Sequence, residues 1–202
     1  PDGQKALVAS EAGKVGVWNA EDGRALYTLS AHEVPIRYLD WSPDGTKFST
    51  CRFSGETVKI WDASGGERIS VIRDPDASIQ EVAWSPNGAM IASDYDKHSV
   101  LDPKVKVWDP STGDLLHTLS WRPANYKPVR LWDISTGKKI NLFDLERCTS
   151  GGSGDIIVWS PTSDMLAISR GRIAAWSPDG AKLAGGNNKG KVFVWDAASG
   201  RE

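Results

Sequence analysis

The residues best equipped for acid–base, nucleophilic or metal chemistry in this 202-residue chain are three histidines, two cysteines and a long series of aspartates. Their spacing argues against such chemistry. His32, His98 and His117 fall in unrelated contexts, and none has a second histidine or cysteine three to five positions on, as a zinc site would require. None stands in a recognisable motif with a serine or cysteine nucleophile. Cys51 and Cys148 are far apart and read as small buried hydrophobes or incidental thiols, a usage that fits a reducing compartment. Asp44, Asp62, Asp109, Asp133, Asp179 and Asp196 all lie in turns, where a side chain able to bond its own backbone is what local geometry demands. Nothing pairs two carboxylates as hydrolysis of a glycoside would need. The Gly/Ser-rich run Cys148–Asp155 lacks the helix start and Lys-Ser/Thr pair of a phosphate loop, and reads as a flexible connection. The expectation is therefore a chain with no catalytic residue, no metal, no cofactor and no small-molecule substrate.

What those aspartates do share is position within two recurring markers. The first is Trp41-Ser42-Pro43-Asp44-Gly45, repeated at Trp84-Ser85-Pro86-Asn87-Gly88 and Trp176-Ser177-Pro178-Asp179-Gly180, in degenerate form at Trp159-Ser160-Pro161, and as a remnant at Pro1-Asp2-Gly3. Proline presets φ, Asp or Asn bonds its own backbone, and Gly takes the left-handed conformation, so each copy joins two antiparallel strands. The second marker is Trp18-Asn19, Trp61-Asp62, Trp108-Asp109, Trp132-Asp133 and Trp195-Asp196. Each closes a short β-branched run and precedes a tight turn ending at Gly23, Gly65, Gly113, Gly137 or Gly200. A further apolar run follows, such as Arg68–Ile72 or Leu115–Leu119. The unit is strand, turn, strand, turn, strand, turn, strand, here called a, b, c and d.

The unit recurs every 43 residues from Trp18 to Trp61 and from Trp41 to Trp84. Four strands in about 43 residues is the pattern of a propeller blade. On these residues the chain resembles the WD-repeat family of β-propellers over essentially its whole length. The fold expected is all-β, a single β-propeller domain over residues 1–202 with four-stranded antiparallel blades. The first period lacks strand a and runs Gln4–Ser10, Lys14–Trp18 and Ala25–Leu29. The second is complete, with Ile36–Trp41, Lys47–Arg52, Thr57–Trp61 and Arg68–Ile72. The third has Ile79–Trp84, Ala89–Ser93, a long polar connection Asp94–Pro103, and Val105–Trp108.

The rhythm then breaks twice. Trp108 and Trp132, both strand-c markers, are 24 residues apart, and Trp159 and Trp176, both strand-a markers, are 17 apart. Strand b at Met165–Ser169 runs straight into Gly171-Arg172-Ile173, which reads as the next strand a. Either the protein is degenerate and short, or the sequence joins pieces lacking about 20 residues near Ser120–Lys127 and about 25 near Ser169–Arg172 on the blade period. Open sheet edges favour the second reading. It makes the chain an incomplete propeller with six visible periods, excerpted from one of seven, and expects breaks in the backbone at both places.

Bulk composition excludes other classes. A net charge of -2 gives no pull toward nucleic acid or an anionic membrane, and basic residues form no stripe with aromatics. No apolar run approaches the roughly 20 residues of a membrane span, and no signal pattern opens the chain. Nine of the ten tryptophans, Trp18, Trp41, Trp61, Trp84, Trp108, Trp132, Trp159, Trp176 and Trp195, belong to the two markers.

The family resemblance implies a hydrogen-bonded set in each blade: a His before strand a, a Ser or Thr in strand b, an Asp in the b–c turn and the strand-c Trp. Only His32, with Thr50 and Trp61, approaches it. The Asp is replaced in Phe53-Ser54-Gly55-Glu56, and Ser85 and Ser177 belong to turns, so the set is incomplete throughout, at about 1 kcal/mol per missing bond. The resemblance also implies a non-catalytic, cytoplasmic scaffold that binds other proteins as a subunit of a complex, through loops at one rim. Four residues before each strand-a Trp stand Arg37, Gln80, Asp155 and Arg172, which differ from repeat to repeat. With Glu33, Arg52, Asp96 and His98 they are the candidate partner-binding residues. The alternative is a sensor or regulatory propeller of a larger signalling enzyme whose catalytic part lies outside this chain.

Overall fold

The structure is a computed structural model of the 202-residue chain. It describes residues 1–52, 55–75, 78–95, 104–120, 129–143, 155–170, 174–186 and 190–202. These form five antiparallel sheets. The first has β1 (Lys5–Ala9), β2 (Lys14–Asn19) and β3 (Ala25–Ser30). The second has β4 (Ile36–Trp41), β5 (Lys47–Arg52), β6 (Thr57–Asp62) and β7 (Arg68–Arg73). The third has β8 (Ile79–Trp84), β9 (Ile91–Tyr95), β10 (Lys104–Trp108) and β11 (Leu115–Ser120). The fourth has β12 (Val129–Asp133), β13 (Lys138–Phe143), β14 (Asp155–Trp159) and β15 (Met165–Arg170). The fifth has β16 (Ala174–Trp176), β17 (Lys182–Gly186) and β18 (Val192–Asp196).

The turns between strands a and b follow from their residues. Ser42 Oγ donates to Asp44 Oδ1 at 2.6 Å, and Lys47 N–H donates back to Ser42 Oγ at 2.9 Å. Asp44 Oδ1 also accepts from Thr46 N–H at 3.0 Å. Gly45 takes φ 70° to close the turn. The same bonds recur around Ser85 and Asn87, and around Ser177 and Asp179. The degenerate copy folds likewise: Ser160 Oγ reaches Asp164 at 2.8 Å and accepts from Met165 N–H at 3.0 Å. Ser163 stands there in the left-handed region, with φ 64°. It holds that strained conformation while its Oγ accepts from Asn87 N–H at 3.1 Å, tying the fourth sheet to the third. Strain relief and bond loss are each about 1 kcal/mol. Ser163→Gly should therefore leave the urea midpoint nearly unchanged, whereas Ser163→Ala, which keeps the strain and loses the bond, should lower stability by about 1 kcal/mol.

The turns after strand c are set by the marker aspartate. Asp62 Oδ1 accepts from Ser64 N–H at 2.7 Å, and Gly66 N–H donates to Asp62 O at 2.9 Å. The left-handed glycine in this turn is Gly66, at φ 76°, and not Gly65. It stands four residues after the aspartate, as Gly113, Gly137 and Gly200 do after theirs and Gly23 after Asn19. In the four sheets with an outer strand, the ladder shifts register just before the strand-c Trp. That bulge lets a strand enter this turn without turning its apolar side outward.

Successive sheets stack face to face, and each seam is built the same way. The two apolar residues three and one before each strand-c Trp face the following sheet, and the Trp faces the preceding one. Val15 and Val17 meet Phe48 and Trp61 at the first seam. Val58 and Ile60 meet Trp84 and Trp108 at the second. Val105 and Val107 meet Trp132 and Trp159 at the third, and Val129 and Leu131 meet Trp195 at the fourth. Strand-a tryptophans add a stitch across three seams. Trp84 Nε1 donates to Ser49 Oγ at 3.1 Å, Trp159 Nε1 to Ala83 O at 3.1 Å, and Trp176 Nε1 to Val158 O at 3.1 Å.

The fourth sheet resolves the broken rhythm in a way the spacing did not suggest. Its strand order is β13-β12-β15-β14, and β12 pairs with β15, placing Leu131 opposite Ala167 and Trp132 opposite Leu166. In chain order its strands are c, d, a and b. The half-repeat after the first break and the half-repeat before the second are complementary, and each covers the edge the other leaves open. Six periods thus become five sheets, because the spacing counts these two halves separately while pairing joins them. Of the stretches where backbone breaks are expected, Ser120–Lys127 and Ser169–Arg172, residues 121–127 and 171–172 lie outside the described residues, and Ser120, Ser169 and Arg170 end β11 and β15.

A polar cleft at the first seam

The first seam is tied behind by a hydrogen-bonded chain. Trp61 Nε1 donates to Thr50 Oγ1 at 2.9 Å, and Thr50 Oγ1 lies 2.9 Å from His32 Nε2. The expected trio of His32, Thr50 and Trp61 is therefore assembled. β5 and β6 place it by register: Phe48 is opposite Trp61, and Thr50 lies two residues further along, on the same face. The same geometry recurs in the third sheet, where Trp108 Nε1 donates to Ser93 Oγ at 2.8 Å. That partner was missed in the sequence, although the offset from Ile91, opposite Trp108, marks it. In the fourth sheet Ile168 occupies the equivalent position, and Trp132 Nε1 is buried with no hydrogen-bond partner among the described residues.

Burial, with Lys59 and Arg52 nearby, lowers the His32 pKa from 6.5 to about 4. The ring is neutral at neutral pH, which suits a Thr50 hydroxyl donating to it. The folded value lies below the unfolded one, so the folded state binds protons less readily. The His32 contribution is therefore present above pH 6.5 and is lost as pH falls toward about 4. The urea midpoint should drop across that window, and the drop should be smaller in His32→Gln. The turn aspartates act in a lower window. Asp44 is held at about 2, chiefly by the Ser42 hydroxyl, so its contribution persists until pH falls below 3.8. Cys51 is buried and its thiol is pushed up to about 11, which makes it an inert core residue.

In front of this trio opens a cleft of about 450 Å³ lined by His32, Glu33, Arg52, Glu56, Lys59 and Arg73, among others. Lys59 Nζ crosses the seam to donate to Ala31 O at 2.6 Å. Burial lowers the Lys59 pKa, with Arg68 adding to the effect and Glu33 opposing it. Arg52 Nε is buried with no hydrogen-bond partner among the described residues. The cleft thus carries three cations and two carboxylates around a neutral imidazole whose Nε2 is engaged by Thr50. It presents donors and charge for a polar chain segment, and the Thr50 hydroxyl beside the imidazole is buried and engaged by Trp61.

Two of the candidate rim residues, Glu33 and Arg52, meet in this cleft. Arg37 is exposed in β4 and does not line it. Gln80 lies on β8 and Asp155 on β14, described by backbone alone. Asp96, His98 and Arg172 lie outside the described residues. Glu56, Lys59 and Arg73 were missed in the sequence. Strand b, strand c and the end of strand d converge at one end of a sheet, which spacing from the strand-a Trp does not reveal.

The family described as WD domain, G-beta repeat matches residues 23–62 and 66–109. These two segments are therefore WD repeats. WD40 repeats generally mediate protein–protein interaction, and domains built from them are typically non-catalytic. Among solved structures the chain is similar to the computationally designed Ika8 protein, with a TM-score of 0.64 and 20% identity. The match takes in 98% of this chain and 57% of that one, so the chain spans little more than half the length of that structure. The likeness is one of fold.

Proposed function

We propose that this chain is a non-catalytic WD-repeat scaffold that holds a segment of a partner protein in the cleft at its first seam, as a subunit of a cytoplasmic assembly. On this reading the five sheets are blades of a β-propeller, with β4, β8, β14 and β16 side by side toward its axis. The observation that carries the proposal is the cleft itself, in which Arg52, Lys59 and Arg73 face Glu33 and Glu56 around an open volume of about 450 Å³. Charges of both signs on a tied frame suit an extended peptide, whose backbone and side chains offer acceptors and donors together.

The test is co-purification with the full chain, read by mass spectrometry, for three proteins matched in far-ultraviolet circular dichroism. These are the wild type, Arg52→Glu with Arg73→Glu, and Lys139→Glu at an exposed position of β13. Companions that leave with the cleft variant and stay with Lys139→Glu support the proposal. A wild type without companions, or companions indifferent to the cleft, overturns it.

A further inference from the structure

The second seam holds a carboxylate that the first does not. Lys106, two residues before the strand-c Trp, crosses the second seam to the carboxylate of Asp74, which directly follows strand d of the sheet before it. Lys59 has the same place in β6, and Ala31 the same place after β3. The Ala31 amide donates to Gly13 O as the Asp74 amide donates to Glu56 O, each acceptor lying just before strand c of its sheet. With a methyl group where the second seam has a carboxylate, Lys59 Nζ reaches the Ala31 carbonyl instead, at 2.6 Å. A further cation is added where the anion is lost. Arg52, opposite Ile36, stands where the third sheet has Tyr95 opposite Ile79. Its Nε–H is buried with no hydrogen-bond partner among the described residues. A buried cationic donor without an acceptor costs free energy that an admitted anion recovers. Room for one is present, since Ala31, Arg52 and Lys59 all line the cleft of about 450 Å³.

We infer, on the reading of the cleft proposed above, that it takes the side-chain carboxylate of one Asp or Glu in the bound segment, set between Lys59 Nζ and the Arg52 guanidinium in the place that Asp74 fills at the next seam. The internal template is a carboxylate, which is smaller and less highly charged than a phosphate group. One acidic residue is selected rather than an acidic run, because exposed Glu33 and Glu56 line the same cleft and repel a second.

The test uses short alanine peptides, acetylated and amidated, that carry one central Glu, Gln or phosphoserine, with an all-alanine peptide whose C-terminal carboxylate is free. Each is titrated into the 202-residue chain while the Arg52 Nε–H resonance is followed in heteronuclear correlation spectra. The glutamate peptide should shift that resonance saturably, and the glutamine peptide should not. Ala31→Asp supplies the carboxylate from within, so it should move the resonance in the same direction without peptide and abolish the response to the glutamate peptide. Lys59→Met, which adds no buried charge, should weaken glutamate binding about tenfold or more. Circular dichroism and a urea midpoint check that both variants stay folded. Equal responses to Glu and Gln, no saturable response to Glu, or unchanged binding by Lys59→Met would overturn the inference. So would tighter binding of the phosphoserine or free-carboxylate peptide than of the glutamate peptide. Companions that leave with Arg52→Glu and Arg73→Glu, beside equal responses to Glu and Gln, would keep the partner and remove the carboxylate. Saturable glutamate binding beside companions indifferent to the cleft would keep the carboxylate site and remove the scaffold reading.

Discussion

Lys106→Met is expected to destabilise the protein by about 3–5 kcal/mol, a large part of the stability of an ordinary domain. Lys106 Nζ lies 2.5 Å from Asp74 Oδ2, in a pair that bridges the third sheet to the end of the second. The Asp74 side chain is 0% exposed and that of Lys106 only 10%. Removing the ammonium takes the countercharge from a carboxylate that is shut off from water, and the cost is mostly that of the uncompensated charge. The Nζ also sits 5.7 Å from the centre of the Trp108 ring, a smaller loss of the same sign. Asp74→Asn in the Lys106→Met background should recover much of the loss, because no charge is then left buried. Urea unfolding of the two single variants and the double variant checks this: additive losses would contradict the pairing, and strong coupling would support it.

Thr50→Val should cost about 2–4 kcal/mol despite its matched shape, since Trp61 Nε1 loses its acceptor and His32 Nε2 its partner in a buried site. The fourth sheet supplies an internal control. Trp61→Phe and Trp132→Phe remove the same volume from similarly buried sites, but Trp61 gives up a made bond while Trp132 gives up a donor with no partner among the described residues. Trp61→Phe should therefore cost about 1–2 kcal/mol more. Equal losses in parallel thermal unfolding would mean that these indole bonds contribute little to the fold.

Most strands were legible because turn chemistry is local. Pro, Asp or Asn and Gly after a tryptophan specify a hairpin wherever they occur, and β1 to β11 lie where the markers place them, within a few residues. The degenerate turn at Trp159 kept its geometry because Ser160 and Asp164, rather than the missing glycine, carry its bonds. The pairing of β12 with β15 was not legible. Spacing counts residues along the chain, whereas an edge strand accepts whichever complementary edge reaches it, and a half-repeat of strands c and d fits one of strands a and b in either order. The site was half legible for a related reason. His32 and Thr50 follow from the family pattern, but Lys59 and Arg73 enter the cleft because side chains from neighbouring strands converge at a sheet end. Ser93 was hidden by a strand b that begins at Ile91 and not at Ala89.

Cross-strand nuclear Overhauser contacts within the fourth sheet test the architecture most directly. Backbone contacts are expected between Leu131 and Ala167 and between Arg130 and Ile168, with slowly exchanging amides along both strands. Absence of those contacts, with rapid exchange along β12 and β15, would contradict it.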